Sequence, residues 1–280
     1  MIKIVADTTC SLPVSLMQKM QIDFVPQIVN FNHHSFRDDF ELSTEEFLRK
    51  LRASEQLPGT AAPPPAMYQP IFERILKNGD TALVIAPSSK VSGTYRSALI
   101  ASQEFQSDQI HIIDTKTIGC NLGTLVQCAS KWANQGLPID ELLEKVKDLA
   151  SRDQTYFLVP TLEYLHKGGR IGGATKLIGS ILQIIPILTL RDGQVEPYDK
   201  VRSLKQAIRA MVELNVSMSE NNPEAYLTIG QCDSQSLVDQ ISEPLKLRLG
   251  LSEIPVFTAP PAIIVHVGPG LVVTSGFSKS

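Results

Sequence analysis

The sequence of 280 residues has few cysteines and no excess of positive charge. The cysteines, at positions 10, 120, 128 and 232, form no C-x-x-C pair, so the chain fits neither a zinc ribbon nor a disulfide framework. Lys and Arg together number 26 against 29 Asp and Glu, and the net charge of −3 gives nucleic acid no basic field to bind. We therefore expect reduced thiols and no nucleic-acid partner.

Long apolar segments are absent as well. No stretch approaches the roughly eighteen apolar residues of a membrane span. Polar residues, glycine and Pro186 interrupt the most apolar window, residues 178–190. The apolar run at residues 2–6 is also shorter than the core of a signal peptide. These absences predict an unprocessed cytoplasmic protein.

Standard signatures of catalysis and nucleotide binding are missing too. The sequence contains no G-x-x-x-x-G-K-[ST], G-x-G-x-x-G, G-x-S-x-G or H-E-x-x-H motif. The glycine-rich segment 168–173 superficially suggests a phosphate loop, but Lys176 is misplaced for one. We expect no cofactor, no metal and no set of catalytic residues.

The first half of the sequence alternates between strand and helix patterns. With 43% hydrophobic and 20% charged residues, the chain has enough apolar material for a folded core. Ser11 and Ser43 are predicted N-caps of the helices that follow them. Predicted strands span residues 2–6, 24–31, 81–86 and 110–114, and further helices span residues 94–105, 122–133 and 139–149. The alternation predicts an N-terminal three-layer α/β/α domain with a parallel sheet, residues 1–152.

Short strands become more frequent in the second half. The segment Arg191-Asp192-Gly193-Gln194 is typical of a hairpin turn, which implies antiparallel pairing. Predicted strands span residues 155–159, 187–190, 195–200, 227–231, 256–259, 263–267 and 271–277, and predicted helices span residues 162–167, 204–215 and 236–249. These patterns predict a second α/β domain with a mixed sheet, residues 153–280.

Three loops concentrate small hydroxyl residues and glycine just after predicted strands, where open α/β sheets build ligand sites. They are residues 7–9, 58–60 and 88–94. In the third loop, Ser92 and Gly93 precede a helix whose free amides and positive dipole end favour an anion. The same residues also fit ordinary helix caps, and local pattern does not decide between the two interpretations.

His266 is a further candidate. It lies at the end of the predicted strand 263–267 and precedes Gly268-Pro269-Gly270, which forces a sharp reversal. A histidine there either contacts a ligand or serves as a structural partner of a backbone carbonyl. The other four histidines have no partner residues at ligand spacing.

Taken together, these motifs resemble the DegV family of bacterial fatty-acid-binding proteins. Some members of that family are the lipid-presenting subunit of fatty acid kinase. The resemblance runs in order along essentially the whole chain. Its motifs are Asp7-Thr8-Thr9, Phe36-Arg37-Asp38, Ser88-Ser89-x-x-Ser92-Gly93-Thr94-Tyr95, Leu162-Glu163-Tyr164-Leu165-x-Lys167-Gly168-Gly169-Arg170-Ile171, Lys200-Val201-Arg202 and His266-x-Gly268-Pro269-Gly270.

The resemblance implies a two-domain DegV-like fold that buries the acyl chain within one domain, which we take to be the C-terminal one, and holds the carboxylate near the domain boundary. It implies that Thr60 and Ser92 bind the carboxylate directly and that His266 joins them. Ligand-binding positions of the same loops are Gly93, Thr94 and Thr8, the last standing where a serine is usual.

The resemblance further implies a partner. Arg170 and Arg202 match basic positions associated with the kinase-facing surface and the surroundings of the carboxylate. The catalytic subunit of a fatty acid kinase would phosphorylate the bound long-chain fatty acid, and the acyl phosphate would feed phospholipid synthesis. Transient contact with a membrane surface fits this role, and the chain itself would be non-catalytic.

A stand-alone acyl-transfer enzyme or hydrolase is the alternative. In that interpretation Ser92 is the nucleophile and His266 the base. The missing nucleophile-elbow motif argues against it, as does the absence from the sequence of an evident carboxylate to orient His266.

Overall fold

The computed structural model describes residues 1–179 and 184–280, which divide into two units. The first unit consists of Met1–Ser151 and Pro260–Ala262, and the second of Arg152–Ala259 and Ile263–Ser280. No helix within the described ranges is long and apolar enough to cross a membrane.

The first unit contains seven of the described strands. They are β1 (Ile2–Asp7), β2 (Asp23–Val25), β3 (Ile28–Phe31), β4 (His34–Arg37), β5 (Gly59–Ala61), β6 (Thr81–Ala86) and β7 (Ile110–Asp114). Its α-helices are α1 (Val14–Lys19), α2 (Thr44–Ala53), α3 (Gln69–Lys77), α4 (Thr94–Ser102), α5 (Cys120–Asn134) and α6 (Ile139–Ser151). A short 3₁₀ turn, Thr8–Cys10, follows β1.

A parallel sheet with the strand order β2-β1-β6-β7 forms the centre of this unit. Strand β6 is buried from its second residue to its last, as a continuous apolar run in the middle of a parallel sheet should be. The parallel sheet, and the strands predicted at residues 81–86 and 110–114, are confirmed. Because β1 and β6 are parallel neighbours, their carboxyl ends lie at the same edge of the sheet.

The single strand predicted at residues 24–31 is wrong. Strand β2 belongs to the parallel sheet, whereas β3 lies in a separate antiparallel sheet of order β4-β3-β5. Pro26, between the two strands, has no N–H to continue a ladder, so the chain leaves one sheet and enters the other. Gln27 therefore lies outside both sheets.

The two predicted helix caps have different outcomes. The Ser43 hydroxyl accepts a hydrogen bond from the Glu46 N–H at 3.2 Å at the start of α2, which confirms that cap. Ser11 instead ends the 3₁₀ turn in a left-handed conformation with φ of 59°, so it was wrongly predicted to cap a helix. Helix α1 starts only at Val14, after Pro13.

The second unit is built on a six-stranded sheet. Its strands are β8 (Asp153–Leu158), β9 (Ile185–Arg191), β10 (Gln194–Val201), β11 (Thr228–Gln231), β12 (Val256–Thr258) and β13 (Val272–Phe277), in the order β10-β9-β8-β13-β11-β12. Only the β11–β12 pair is parallel, which confirms the mixed sheet. Asp192 and Gly193 both have positive φ in the β9–β10 turn, as a type I′ hairpin requires.

The α-helices of the second unit are α7 (Glu163–Lys167), α8 (Leu204–Ser219), α9 (Gln235–Leu249) and all but the first two residues of α10 (Pro261–Val267). Helix α10 corrects the strand predicted at residues 263–267. A short apolar run fits a buried strand and a buried helix equally well, and here Pro261 pre-sets the backbone at the first helical position. His266 accordingly lies in the last turn of a helix and not at a strand end.

Candidate functional site

Two of the predicted hydroxyl loops meet at the carboxyl edge of the parallel sheet. Asp7 ends β1, and the segment Ser92-Gly93-Thr94 leads from β6 into α4. The Thr94 hydroxyl donates a hydrogen bond of 2.8 Å to Asp7 Oδ2 across 87 positions of sequence. This bond fixes the start of α4 against the end of β1.

The Asp7 carboxylate is fully buried and accepts four hydrogen bonds. Oδ1 accepts from the N–H and the hydroxyl of Thr9 at 3.0 and 2.5 Å, and Oδ2 accepts from Gln27 Nε2 at 2.5 Å and from Thr94. Burial raises the pKa of Asp7 to about 6, and the hydrogen bonds from Thr9, Thr94 and Gln27 limit the rise. The group is thus ionised at neutral pH.

Asp38 provides a second buried carboxylate beside the first. Its Oδ1 accepts from the Thr8 hydroxyl at 2.5 Å and from the Gln27 backbone N–H at 2.9 Å. Burial, with an added contribution from the charge of Asp7, raises the pKa of Asp38 to about 7. Gln27 therefore bridges the two acids, and we call Asp7, Thr8, Gln27, Asp38 and Thr94 the acid cluster.

Ser92 lies at the rim of the acid cluster and is half-buried. Its Oγ is 2.9 Å from Thr94 Oγ1 and accepts a hydrogen bond of 3.3 Å from the Thr94 N–H. Because the only hydroxyl proton of Thr94 points to Asp7, Ser92 is the donor in the contact between the two hydroxyls. Ser92 thus donates its hydroxyl proton to Thr94, which is not a base, and can offer that proton to another acceptor only by rotating its hydroxyl.

Thr60 is held next to the same segment. It lies on β5, paired with Val29 of β3, so the loop predicted at residues 58–60 is wrong: Gly59 and Thr60 belong to a strand, and the element before it is helix α2. Two positions further on, Ala62 lies so close to Gly93 that a Cβ placed on that glycine would be 3.3 Å from the Ala62 Cβ. The Ser97 hydroxyl of α4 also donates to the Pro63 carbonyl. The structure therefore brings Thr8, Thr60, Ser92, Gly93 and Thr94 together within the first unit.

A different polar cluster surrounds His266 in the second unit. Arg170 donates a hydrogen bond of 2.7 Å to the Gly168 carbonyl, and a Cβ on Gly168 would clash with His266 Nδ1. Burial, and then the positive charge of Arg170, lowers the pKa of His266 to about 4, while the Gly168 backbone acts in the opposite direction. We call Gly168, Arg170 and His266 the histidine cluster; its imidazole is neutral at pH 7.

The loop after His266 is held by close packing. Gly268 has a φ of +78°, and a Cβ there would clash with the Tyr164 ring. Gly270 has a φ of +90° and lies in the same way against Pro160. The sequence segments around residues 164–170 and 266–270 therefore pack against each other.

Arg202 occupies a third position. It follows the last residue of β10, is exposed, and its backbone N–H donates to Gln206 Oε1 at 3.0 Å ahead of α8. The predicted site residues thus fall into three sets. The first is the set of residues that lie together in the first unit, the second is the pair Arg170 and His266, and the third is Arg202 alone. Among the residues that the structure describes, no group of three or more His, Cys, Asp or Glu side chains could hold a metal ion.

Sequence reasoning missed Gln27 and gave Asp7 and Asp38 no specific role. Gln27 was placed inside a predicted strand, although it joins two carboxylates that are 31 positions apart in sequence. Pro26, which breaks the strand before it, was the signal that could have drawn attention to it.

Comparison with known proteins places the chain in a family. It is 31% identical over 268 residues to a DegV domain-containing protein of Caldanaerobacter subterraneus, which covers 96% of this chain and 95% of the relative. A fatty-acid-binding DegV family protein from Thermus thermophilus superposes with a TM-score of 0.92 at 28% identity, with 99% of each chain covered. The fatty-acid-binding protein DegV from Bacillus subtilis superposes with a TM-score of 0.88 at 26% identity, also over 99% of each chain.

The match to the family itself extends over nearly the whole sequence. The family model described as "Uncharacterised protein, DegV family" matches residues 1–277, so the segments that form both the acid cluster and the histidine cluster fall within it. The chain belongs to the DegV family.

Proposed function

We propose that this chain binds a long-chain fatty acid and presents its carboxylate to a fatty acid kinase. The hydroxyls of Thr60 and Ser92 bind the carboxylate, and Thr8, Gly93 and Thr94 shape the surrounding loops. His266 adds a further hydrogen bond. The kinase transfers a phosphoryl group to the carboxylate, and the acyl phosphate enters phospholipid synthesis in the cytoplasm.

The direction of the Ser92 proton is the single observation that carries this proposal. Asp7 accepts the proton of Thr94, so the Ser92 hydroxyl is a donor, and in the free protein it donates to Thr94. Rotation about its Cβ–Oγ bond turns that proton towards a carboxylate at the rim of the cluster, and a donor is what a carboxylate requires. The solved relatives from Thermus thermophilus and Bacillus subtilis, which bind fatty acids, support the choice of ligand.

The energetics of a fatty acid suit hydroxyl donors. Each methylene removed from water contributes about 0.8 kcal/mol, so the acyl chain supplies most of the affinity. The carboxylate then needs hydrogen-bond partners and not a strong countercharge, because leaving it unpaired would offset much of the gain. Two hydroxyls meet that need while leaving an oxygen accessible to a kinase.

The histidine cluster suits a supporting role. With a pKa near 4, His266 is neutral at pH 7 and donates a hydrogen bond without adding charge. Arg170 supplies the positive charge that a phosphorylated carboxylate attracts. Exposed Arg202 is proposed to contact the kinase, and the loaded protein to touch the membrane surface only transiently.

Hydrolase chemistry is a weaker match to the same geometry. A base with a pKa near 4 accepts a proton poorly at pH 7. The Thr94 hydroxyl, which contacts Ser92, is not a base either. We therefore retain catalysis by Ser92 and His266 only as an outcome that the experiment below would detect.

Organic extraction of the purified protein, followed by mass spectrometry, tests the binding. We expect one fatty acid per chain, and acyl phosphate only after a cognate kinase, ATP and magnesium are added. An extract without fatty acid, from protein that also fails to bind added palmitate or oleate, would refute the proposal. Ester hydrolysis by the isolated chain that disappears in Ser92→Ala would favour the hydrolase.

A further inference from the structure

The acid cluster contains two carboxylates that share one glutamine. Gln27 donates its side-chain amide to Asp7 Oδ2 at 2.5 Å and its backbone N–H to Asp38 Oδ1 at 2.9 Å. Asp7 is 0% and Asp38 is 6% exposed, so neither charge is screened by water. A fatty acid carboxylate at Ser92 would be the third acidic group in this region.

The hydrogen-bond donors are distributed unequally between the two carboxylates. Asp7 accepts four hydrogen bonds, which fill both of its oxygens and hold it ionised. Asp38 accepts two on Oδ1, while its buried Oδ2 has no partner of full hydrogen-bond geometry within the described ranges, although the Ala262 N–H lies near enough to the carboxyl to favour its ionised form. Asp38 Oδ2 is therefore the atom that a proton entering the cluster binds.

The charged and titratable groups around the cluster do not neutralise it. Cys10 and Tyr68 face Asp7, whose charge adds to the effect of burial in raising the pKa of each. The guanidinium of Arg37 is paired with Asp39 at 2.5 Å. The backbone N–H groups of Gln27 and Ala262 favour ionised Asp38, and the helix that carries Ala262 also carries His266, which is neutral at pH 7.

Ser92 is separated from Asp7 by only two hydrogen bonds. These are the contacts of 2.9 Å between Ser92 and Thr94 and of 2.8 Å between Thr94 and Asp7. An anion that accepts a hydrogen bond from Ser92 thus enters the field of Asp7 and, through Gln27, of Asp38. Like charges at this separation oppose one another strongly in a buried site.

We propose that Asp38 takes up a proton from solvent when the fatty acid carboxylate binds. The ionised carboxyl of Asp38 gains one proton, on Oδ2, for each carboxylate bound. The cluster with its ligand therefore carries the same net negative charge as the cluster in the free protein. This assignment rests on the proposed function and makes Asp38 a positioning residue, because it acts on the ligand through the network. Since its pKa in the free protein is raised to about 7, the uptake is small at pH 6 and approaches one proton at pH 8.

Binding of cis-parinaric acid, a fluorescent fatty acid, across pH 6–9 tests the proposal. With one proton taken up, the Kd increases by close to tenfold per pH unit above pH 7. In Asp38→Asn, which mimics the protonated acid, that slope falls to near zero. Asp39→Asn, a change in the adjacent acid that pairs with Arg37, keeps the wild-type slope.

Two further measurements keep the result interpretable if Asp38→Asn does not fold. Titration calorimetry of wild type at pH 8 in buffers of different ionisation enthalpy counts the protons directly. Thr8→Val removes a donor that favours ionised Asp38, so it moves the onset of the slope to higher pH. A pH-independent Kd in wild type, or an unchanged slope in Asp38→Asn, would overturn the inference. A wild type that does not bind the probe at pH 6 would instead refute the proposed function.

Discussion

The acid cluster of the first unit and the histidine cluster of the second respond to burial in opposite directions. Burial raises the pKa values of Asp7 and Asp38 to about 6 and about 7, whereas it lowers that of His266 to about 4. In each case burial favours the uncharged form. The neighbours then differ, since donors surround Asp7 while a cation, Arg170, lies near His266. The acid cluster therefore stabilises a buried negative charge with hydrogen-bond donors, and the histidine cluster keeps an imidazole neutral.

Asp7→Asn should break the acid cluster and produce the largest effect. An amide in place of the carboxylate turns an NH₂ group towards donors from Thr9, Gln27 or Thr94. We expect the free energy of unfolding, measured in urea, to fall by about 3 kcal/mol. Asp114→Asn is the matched control, because Asp114 ends strand β7 of the same sheet but accepts its hydrogen bonds from Ser89 and Lys116 at a half-buried position. A loss there as large as that in Asp7→Asn would contradict the role assigned to burial.

Gly168→Ala should disturb the histidine cluster to a smaller extent. The added Cβ would clash with His266 Nδ1, so the imidazole must move. We expect unfolding in urea to show a loss of about 2 kcal/mol, typical of overpacking. Gly59→Ala serves as control, because a Cβ at Gly59 meets no atom within 4 Å. A normal stability of Gly168→Ala with an unchanged His266 NMR titration would show that the packing is loose.

The pH dependence of stability should separate the two clusters. The pKa of Asp38 is raised in the folded state. Its contribution to the free energy of unfolding is therefore fully present below pH 3.8 and is lost as pH rises to about 7. The pKa of His266 is lowered in the folded state. Its contribution to the free energy of unfolding is therefore present above pH 6.5 and is lost as pH falls towards 4. Urea unfolding should therefore find Asp38→Asn more stable than wild type at pH 8, by on the order of 1 kcal/mol or more, but not at pH 4.

The opposite pattern is expected when the imidazole is replaced. His266→Gln should lose the decrease in stability that wild type shows between pH 6.5 and pH 4. Equal pH profiles for wild type, Asp38→Asn and His266→Gln would show that neither cluster controls the titration.

Ser92→Ala should have the smallest effect on the free protein. Ser92 Oγ accepts from the Thr94 N–H at the start of α4, and such a contact contributes about 1 kcal/mol or less. The additional stabilisation by added palmitate, measured as a shift in Tm, should fall markedly in this variant. Ser43→Ala removes the hydroxyl that caps the start of α2 and should leave that shift intact. Equal shifts in both variants would reduce Ser92 to a simple cap.

Sequence predicted those parts of the fold that depend on local signals. Residues 81–86 form a buried apolar run, residues 110–114 form a half-buried strand rich in isoleucine, and Asp192-Gly193 specifies its turn. The strand predicted at residues 263–267 is wrong because a run of five apolar or half-apolar residues fits a helix as well as a strand. The single strand predicted at residues 24–31 is wrong because Pro26 interrupts it, and the hydrophobic residues on both sides of Pro26 conceal that break.

The candidate site was less accessible to sequence reasoning. Local pattern left Ser92 undecided between a cap and a ligand contact, and only the family resemblance favoured the latter. The bonds that orient it join Thr94 to Asp7 and Gln27 to both acids, across 11 to 87 positions. Such contacts depend on the order of strands in the sheet, which hydrophobic periodicity does not give.

Carbon-13 NMR of palmitate labelled at the carboxyl carbon tests most directly whether the first unit's hydroxyls hold the ligand. The account predicts one bound carboxyl resonance, displaced from that of free palmitate, which shifts or disappears in Ser92→Ala and stays in place in Ser43→Ala. A bound resonance identical in wild type and Ser92→Ala, or no bound resonance in any of the three proteins, would contradict it.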